Sequence, residues 1–218
     1  MSVYVKEPFM AAKACVIWMH GLGADANDMM GLVEQLSIEI PIRHVFMQAP
    51  KRPITIYHGM SVAAWYDILG DKITDREDLD GVQCSETEIV SVIESQLQRD
   101  LSAQQIYLAG FSQGAAMALF TGIRSRVALG GVVALSGYLP LVEQCKAVHE
   151  QGAVFMGIGR LDSVVLPDWT KASVDFLKKN HQNVVVHEYD IGHSVCQEEL
   201  NDVSHWLTQQ ILMKEEIF

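Results

Sequence analysis

Disulfide bonding has little to work with in this chain. Its four cysteines, Cys15, Cys84, Cys145 and Cys196, form no C-x-x-C pair, and 218 residues do not need a covalent framework to stay folded. Reduced thiols in a cytoplasmic compartment are the simpler expectation. Eight histidines are present, but none stands in an H-x-x-x-H or Cys/His cluster, so no metal is expected. Positive charge is scarce: 16 Lys and Arg against 27 Asp and Glu give a net charge of −11. That balance argues against a nucleic-acid binder, which needs a basic surface to displace counterions. Long apolar runs are missing as well. Ala14–Met19 near the start follows Lys6, Glu7 and Lys13 and has no cleavage-site pattern after it, so it reads as a strand rather than a signal peptide. The closing residues MKEEIF offer no cysteine for prenylation, and stable membrane insertion is not expected. Low-complexity blocks and internal repeats are also absent, which excludes disordered and solenoid readings.

What remains is a chain that is 49% hydrophobic, enough to bury one substantial core, and it is read as a single domain over residues 1–218. ACVIWM is an apolar run of strand length, and DANDMMGLVEQL (Asp25–Leu36) follows with apolar residues at helical spacing. RHVFMQAP reads as a strand stopped at Pro50. From about 51 to 81 neither period fits, and so long an irregular stretch is expected to be a functional cover. From Val82 onward helices and wholly apolar strands alternate: a helix over VQCSETEIVSVIESQLQRDL, then QIYLAG, SQGAAMALFTGI, LGGVVALSG, AVFMGIG, PDWTKASVDFLKK, NVVVHEYD and EELNDVSHWLTQQILM. Strands apolar on both faces imply a mostly parallel sheet covered on both sides, an α/β architecture whose functional groups gather beyond the strands' carboxyl ends.

The stretch GFSQG places Ser112 at one such end, between Gly110 and Gly114. G-x-S-x-G alone is common by chance at this length. Its context, after a strand and before a helix, suits a tight turn that lifts a nucleophilic hydroxyl above the sheet edge; the competing reading is a plain turn with Ser112 as helix cap. A nucleophilic serine needs a base, an acid to orient that base, and donors for an oxyanion. Among the later histidines, His187 falls within a strand, His205 within a helix, His149 near a polar stretch and His181 in a KKNHQN turn. Only His193 lies in a short loop after the last strand. For the acid, Asp162 follows AVFMGIG within three residues and ranks first; Asp190 is the reserve, and Asp168 beside Pro167 reads as a helix-start residue. MHGLGAD follows ACVIW directly, so the Leu22 N–H can pair with the Gln113 N–H as oxyanion donors. His20 is expected to hold that loop, and Cys196 to be a buried small hydrophobe.

These segments together, HGLGAD, QAP, GMSVAAWYDI, DREDLDG, GFSQGAAMAL, ALSGYLP and GHSVCQEE, resemble the phospholipase/carboxylesterase branch of the α/β-hydrolases, in its order and across nearly the whole chain. The resemblance implies an α/β-hydrolase fold without a large cap domain, with Ser112, Asp162 and His193 as triad and Leu22 and Gln113 as oxyanion hole. It also implies that Trp65 helps line an acyl pocket, a role that core packing of the cover rivals. GRLDSVVLPDW departs from the family pattern, with Ser163 next to Asp162 and Pro167 delayed by one position, which puts in question how Val164 and Val165 meet the substrate. The expected activity is serine-dependent hydrolysis of a small carboxylic ester or acyl thioester, with no cofactor. Acyl-protein thioesterase and lysophospholipase are the alternatives, and a non-catalytic binding protein is the other class. The short cover favours short to medium acyl chains, and a homodimer is left open.

Overall fold

The computed structural model describes residues 1–70, 74–145, 152–180 and 182–215. Nine strands and five α-helices alternate along them: β1 (Ser2–Lys6), β2 (Ala14–Met19), α1 (Ala26–Val33), β3 (Ile42–Gln48), β4 (Lys51–Ile54), β5 (Met60–Ala63), α2 (Leu79–Leu97), β6 (Ile106–Phe111), α3 (Gln113–Arg124), β7 (Gly131–Leu135), β8 (Ala153–Gly159), α4 (Pro167–Lys179), β9 (Val184–Tyr189) and α5 (Gln197–Glu215). Seven strands form one sheet in the order β1-β3-β2-β6-β7-β8-β9, and β4 and β5 form a separate hairpin. Only β1 runs antiparallel, pairing Val3 with Met47 and Val5 with Val45; the other six strands are parallel.

The wholly apolar strands behave as their composition requires. Along β2, Cys15, Ile17 and Met19 pack on one side with α2, α3 and α4, while Ala14, Val16 and Trp18 pack on the other with α1 and α5. Both faces are therefore dry, and each large aliphatic side chain so buried contributes roughly 1.5–3 kcal/mol. Two helix starts carry the signals their sequence gives. Asp25 accepts from the Asn27 and Asp28 N–H groups while Asp28 returns a bond to the Asp25 N–H, and Pro167 opens α4 with Asp168 in its first turn.

Three departures from the sequence reading concern short or boundary elements. β1 was not foreseen, being a five-residue edge strand exposed along its length. The 51–81 segment is less irregular than its sequence suggests, because β4 and β5 pair Arg52 with Val62 and Ile54 with Met60. Helix α2 starts at Leu79 rather than Val82, since the Asp78 side chain accepts from the Gly81 N–H and fixes the first turn there. His149 and His181 lie outside the described residues. No helix among the described residues is long and apolar enough to cross a membrane.

The strand order positions the site. Chain progression reverses direction between β2 and β6, since β2 leads outward to β3 and β6 leads outward to β7. A crevice opens at the carboxyl ends of two strands that diverge in this way. The loop after β2 and the turn after β6 both empty into it.

Candidate active site

Between β6 and α3 the backbone turns at Ser112 with φ 54° and ψ −118°, a conformation that costs a non-glycine residue about 1–3 kcal/mol. Two contacts enforce it. The Ser112 N–H donates to the Leu135 carbonyl at 2.9 Å, and the Ala116 N–H donates to the Ser112 carbonyl at 3.0 Å. The flanking glycines are there for space: a Cβ on Gly114 would stand 2.1 Å from the Met19 carbonyl oxygen, and one on Gly110 2.3 Å from the Gly114 carbonyl carbon. The serine side chain makes no cap to α3, so the helix-cap reading of Ser112 does not describe this turn.

The hydroxyl so raised meets an imidazole. His193 Nε2 lies 2.8 Å from Ser112 Oγ, and His193 Nδ1 lies 2.8 Å from Asp162 Oδ2. The carboxylate can only accept at Nδ1, so Nδ1 carries the proton and Nε2 is left with a lone pair facing the serine hydroxyl. Asp162 is itself pinned: its Oδ1 accepts from the Val164 N–H at 2.8 Å and the Val165 N–H at 2.9 Å, and its side chain is 2% exposed. The altered loop after Asp162 thus folds around the carboxylate. Val165 is buried, and Val164, half exposed, lines the cavity beside Ser112. The reserve acid, Asp190, is turned away to solvent and paired with Arg160 at 2.7 Å.

Across the crevice, the β2 loop approaches the serine closely: a Cβ on Gly21 would lie 3.4 Å from Ser112 Cβ. Leu22 and Gln113 both line the same cavity, of about 310 Å³, with His193 and Ser112. Gln113 is the first residue of α3, where a backbone N–H has no helical carbonyl to bond and is free for a ligand. His20 braces this loop. Its Nδ1 donates to the Gly21 carbonyl at 2.7 Å and its Nε2 accepts from the Ala49 N–H at 3.1 Å, and burial holds its pKa below the ordinary value, keeping the ring neutral.

Trp65 is the correction. It is wholly buried and does not line the cavity; its indole N–H donates to the His20 carbonyl at 2.8 Å, and its backbone N–H donates to Gln113 Oε1 at 2.9 Å. Its neighbour Tyr66, in the same bend after β5, is the residue that reaches the cavity. Sequence reasoning also missed the Gln113 side chain, which ties the nucleophile turn to the cover by donating from Nε2 to the Tyr66 carbonyl at 2.8 Å. It missed Tyr138, which lies just beyond β7; that strand-end position was the available signal. Cys196, expected to be buried, is only partly so, whereas Cys15 and Cys145 are buried with their thiols pushed up to about 12.

The chain is similar to known proteins in sequence and in fold. The family model for Phospholipase/Carboxylesterase matches residues 2–211. A protein of Yarrowia lipolytica named acyl-protein thioesterase 1 is 33% identical over 219 residues, which cover 95% of this chain and 96% of its own. The crystal structure of Zea mays acyl-protein thioesterase 2 superposes with a TM-score of 0.84 at 28% identity, covering 96% of this chain and 99% of that one. Arabidopsis thaliana SOBER1 superposes with a TM-score of 0.85 at 23% identity, covering 91% of this chain and 99% of that one, which speaks for the fold alone.

Proposed function

The chain belongs to the phospholipase/carboxylesterase family of α/β-hydrolases and is an esterase or thioesterase, and from that premise we propose that Ser112, His193 and Asp162 carry out its chemistry. The observation that supports this most is the unbroken line from Ser112 Oγ through His193 to Asp162, each contact 2.8 Å, starting at a turn held in a strained conformation.

In this reading His193 Nε2 takes the hydroxyl proton as Ser112 Oγ attacks the acyl carbonyl carbon. The carbonyl oxygen becomes an oxyanion that the Leu22 and Gln113 N–H groups stabilise. Asp162 keeps Nδ1 protonated and stabilises the imidazolium. As the tetrahedral species collapses, the bond to the leaving alcohol or thiol breaks, His193 gives its proton to that group, and an acyl-serine ester remains. Water, deprotonated by the same nitrogen, attacks the ester and restores Ser112 with release of the acid. Every group in this sequence belongs to the chain, so no cofactor enters it. Val164 forms part of the wall that the acyl group meets.

The whole chain, residues 1–218, acts in this reading as one domain in the cytoplasm, where four free cysteines remain reduced. Its substrate is a carboxylesterase's small ester or an acyl-protein thioesterase's acyl thioester. Two copies forming a homodimer would meet at the free edge of β1, where Val3, Tyr4 and Val5 are exposed; sedimentation velocity tests that pairing.

The deciding experiment is turnover of matched oxygen-ester and thioester series by wild type and by Ser112→Ala. Serine-dependent turnover supports the assignment, and the better leaving-group class separates carboxylesterase from thioesterase. Equal turnover by Ser112→Ala would remove Ser112 from the mechanism.

A further inference from the structure

Two phenols, Tyr66 and Tyr138, stand in the wall of the cavity beside Ser112. Tyr66 Oη and Tyr138 Oη are 3.1 Å apart, and both rings are almost completely buried. A second cavity of about 610 Å³ is lined by Leu139, Leu141, Val142, Trp169 and Phe176 together with the polar Glu77 and Glu143. Tyr138 lines both spaces. The second space is largely apolar and larger than the first, whose 310 Å³ is near the lower end of the range of about 300–1,000 Å³ typical of small-molecule sites.

The partition is held from every direction. The carbonyl before Tyr138, on Gly137, accepts from Thr170 Oγ1 at 2.8 Å, and the amide after it, on Leu139, donates to Ser173 Oγ at 2.8 Å. Gly137 itself is pressed on α3, where a Cβ would come 2.4 Å from the Ala115 Cβ. Tyr66 is fixed by its carbonyl to the Gln113 side chain, beside the nucleophile. Swinging the ring aside would take its hydroxyl from the buried Tyr66 hydroxyl, and the backbone on either side, bonded to α4, cannot move to compensate, so the ring is a wall and not a flap.

Resting on the hydrolase assignment above, we propose that the Tyr66–Tyr138 pair terminates the acyl site, confining this enzyme to short acyl groups and shutting off a second apolar cavity that a longer chain would otherwise enter. A short acyl group fills the space between Ser112 and the two hydroxyls. A long one meets a hydrogen-bonded barrier and has to lie across the exposed mouth, gaining little from its added methylenes.

The test is the acyl-length profile of kcat/KM on 4-nitrophenyl esters from acetyl to dodecanoyl, for wild type, Tyr138→Ala and Tyr138→Phe. Wild type and Tyr138→Phe, which keeps the ring, are expected to favour the short esters. Tyr138→Ala is expected to raise the dodecanoyl-to-butyryl ratio at least tenfold, with about fourfold for each methylene that gains the second cavity. If alanine costs the fold, Tyr138→Leu opens the same passage while keeping apolar contact. An independent variant plugs the far cavity from its rim: Ala172→Trp should leave the wild-type profile as it is and cancel the long-chain gain when added to Tyr138→Ala. A folded Tyr138→Ala or Tyr138→Leu with the wild-type length profile overturns the proposal, as does a loss of long-chain turnover in Ala172→Trp alone. Failure of wild type to turn over any ester would instead count against the hydrolase assignment on which it rests.

Discussion

Replacing Gly114 by alanine should do the opposite of what such a change does elsewhere in a helix. Alanine ordinarily stabilises a helical glycine position by roughly 0.5–1 kcal/mol, because it lowers the entropy lost on folding. At Gly31 in α1 a Cβ would meet nothing within 4 Å, and Gly31→Ala is expected to show that gain. At Gly114 the new Cβ would stand 2.1 Å from the Met19 carbonyl oxygen and 2.6 Å from that of His20. Ordinary contact begins at 3.4 Å, so the start of α3 and the end of β2 must part by about 1.3 Å, the difference of those two distances. Both are backbone, so neither can swing aside. Forced overpacking of this kind costs about 1–3 kcal/mol, or several degrees in Tm for a chain of this size. The same displacement moves Ser112 away from His193 and separates the Leu22 and Gln113 amides. A misplacement of about 1 Å at reacting atoms costs on the order of a hundredfold in rate. Thermal unfolding and ester turnover of the two variants side by side provide the check. A Gly114→Ala protein as stable as Gly31→Ala and as active as wild type would refute the argument that the turn needs glycine for close approach.

Other substitutions probe the remaining parts. Asp162→Asn keeps the bonds from Val164 and Val165 by leaving Oδ1 in place, which turns an amide N–H₂ toward His193 and forces the proton onto Nε2; kcat should fall on the order of 10⁴-fold, while Asp190→Asn, altering an exposed partner of Arg160, should leave kcat near wild type. Glu199 is buried, and that burial pushes its carboxyl up to about 8, whereas the unfolded chain titrates near 4.5. Its stabilising contribution is therefore complete below pH 4.5 and is lost as pH rises through 8, at about 1.4 kcal/mol per pH unit at most. Urea unfolding from pH 5 to 8 should show that decline in wild type and a flatter profile in Glu199→Gln; parallel profiles would count against it. His20→Phe leaves the buried Ala49 N–H without its acceptor and should cost about 1–3 kcal/mol by the same unfolding assay.

Strand-end positions explain why so much of the candidate site could be read from the chain. Once wholly apolar strands indicate a parallel sheet, a serine, an aspartate and a histidine that each follow a strand must share one edge, and Ser112, Asp162 and His193 do. The parity of an irregular segment carries no such rule. Trp65 and Tyr66 are neighbours of similar character, and only the fold decides that the indole turns inward to His20 while the phenol faces the cavity. The Tyr66–Tyr138 contact joins residues 72 apart with no local pattern to mark it. β1 escaped notice for a different reason: its five residues are all exposed, so the burial that stamps an apolar pattern on the other strands does not act on it. The β4–β5 hairpin is short and carries Pro53, which a strand tolerates only at an edge.

The central claim, that His193 activates Ser112 as a nucleophile, is tested most directly by mass spectrometry of the protein after reaction with a fluorophosphonate, which captures an activated serine as a stable ester. The account predicts one adduct on wild type, mapped to the peptide holding Ser112, lost in Ser112→Ala and strongly slowed in His193→Ala. An adduct on another residue, or equal labelling of Ser112→Ala, would contradict it.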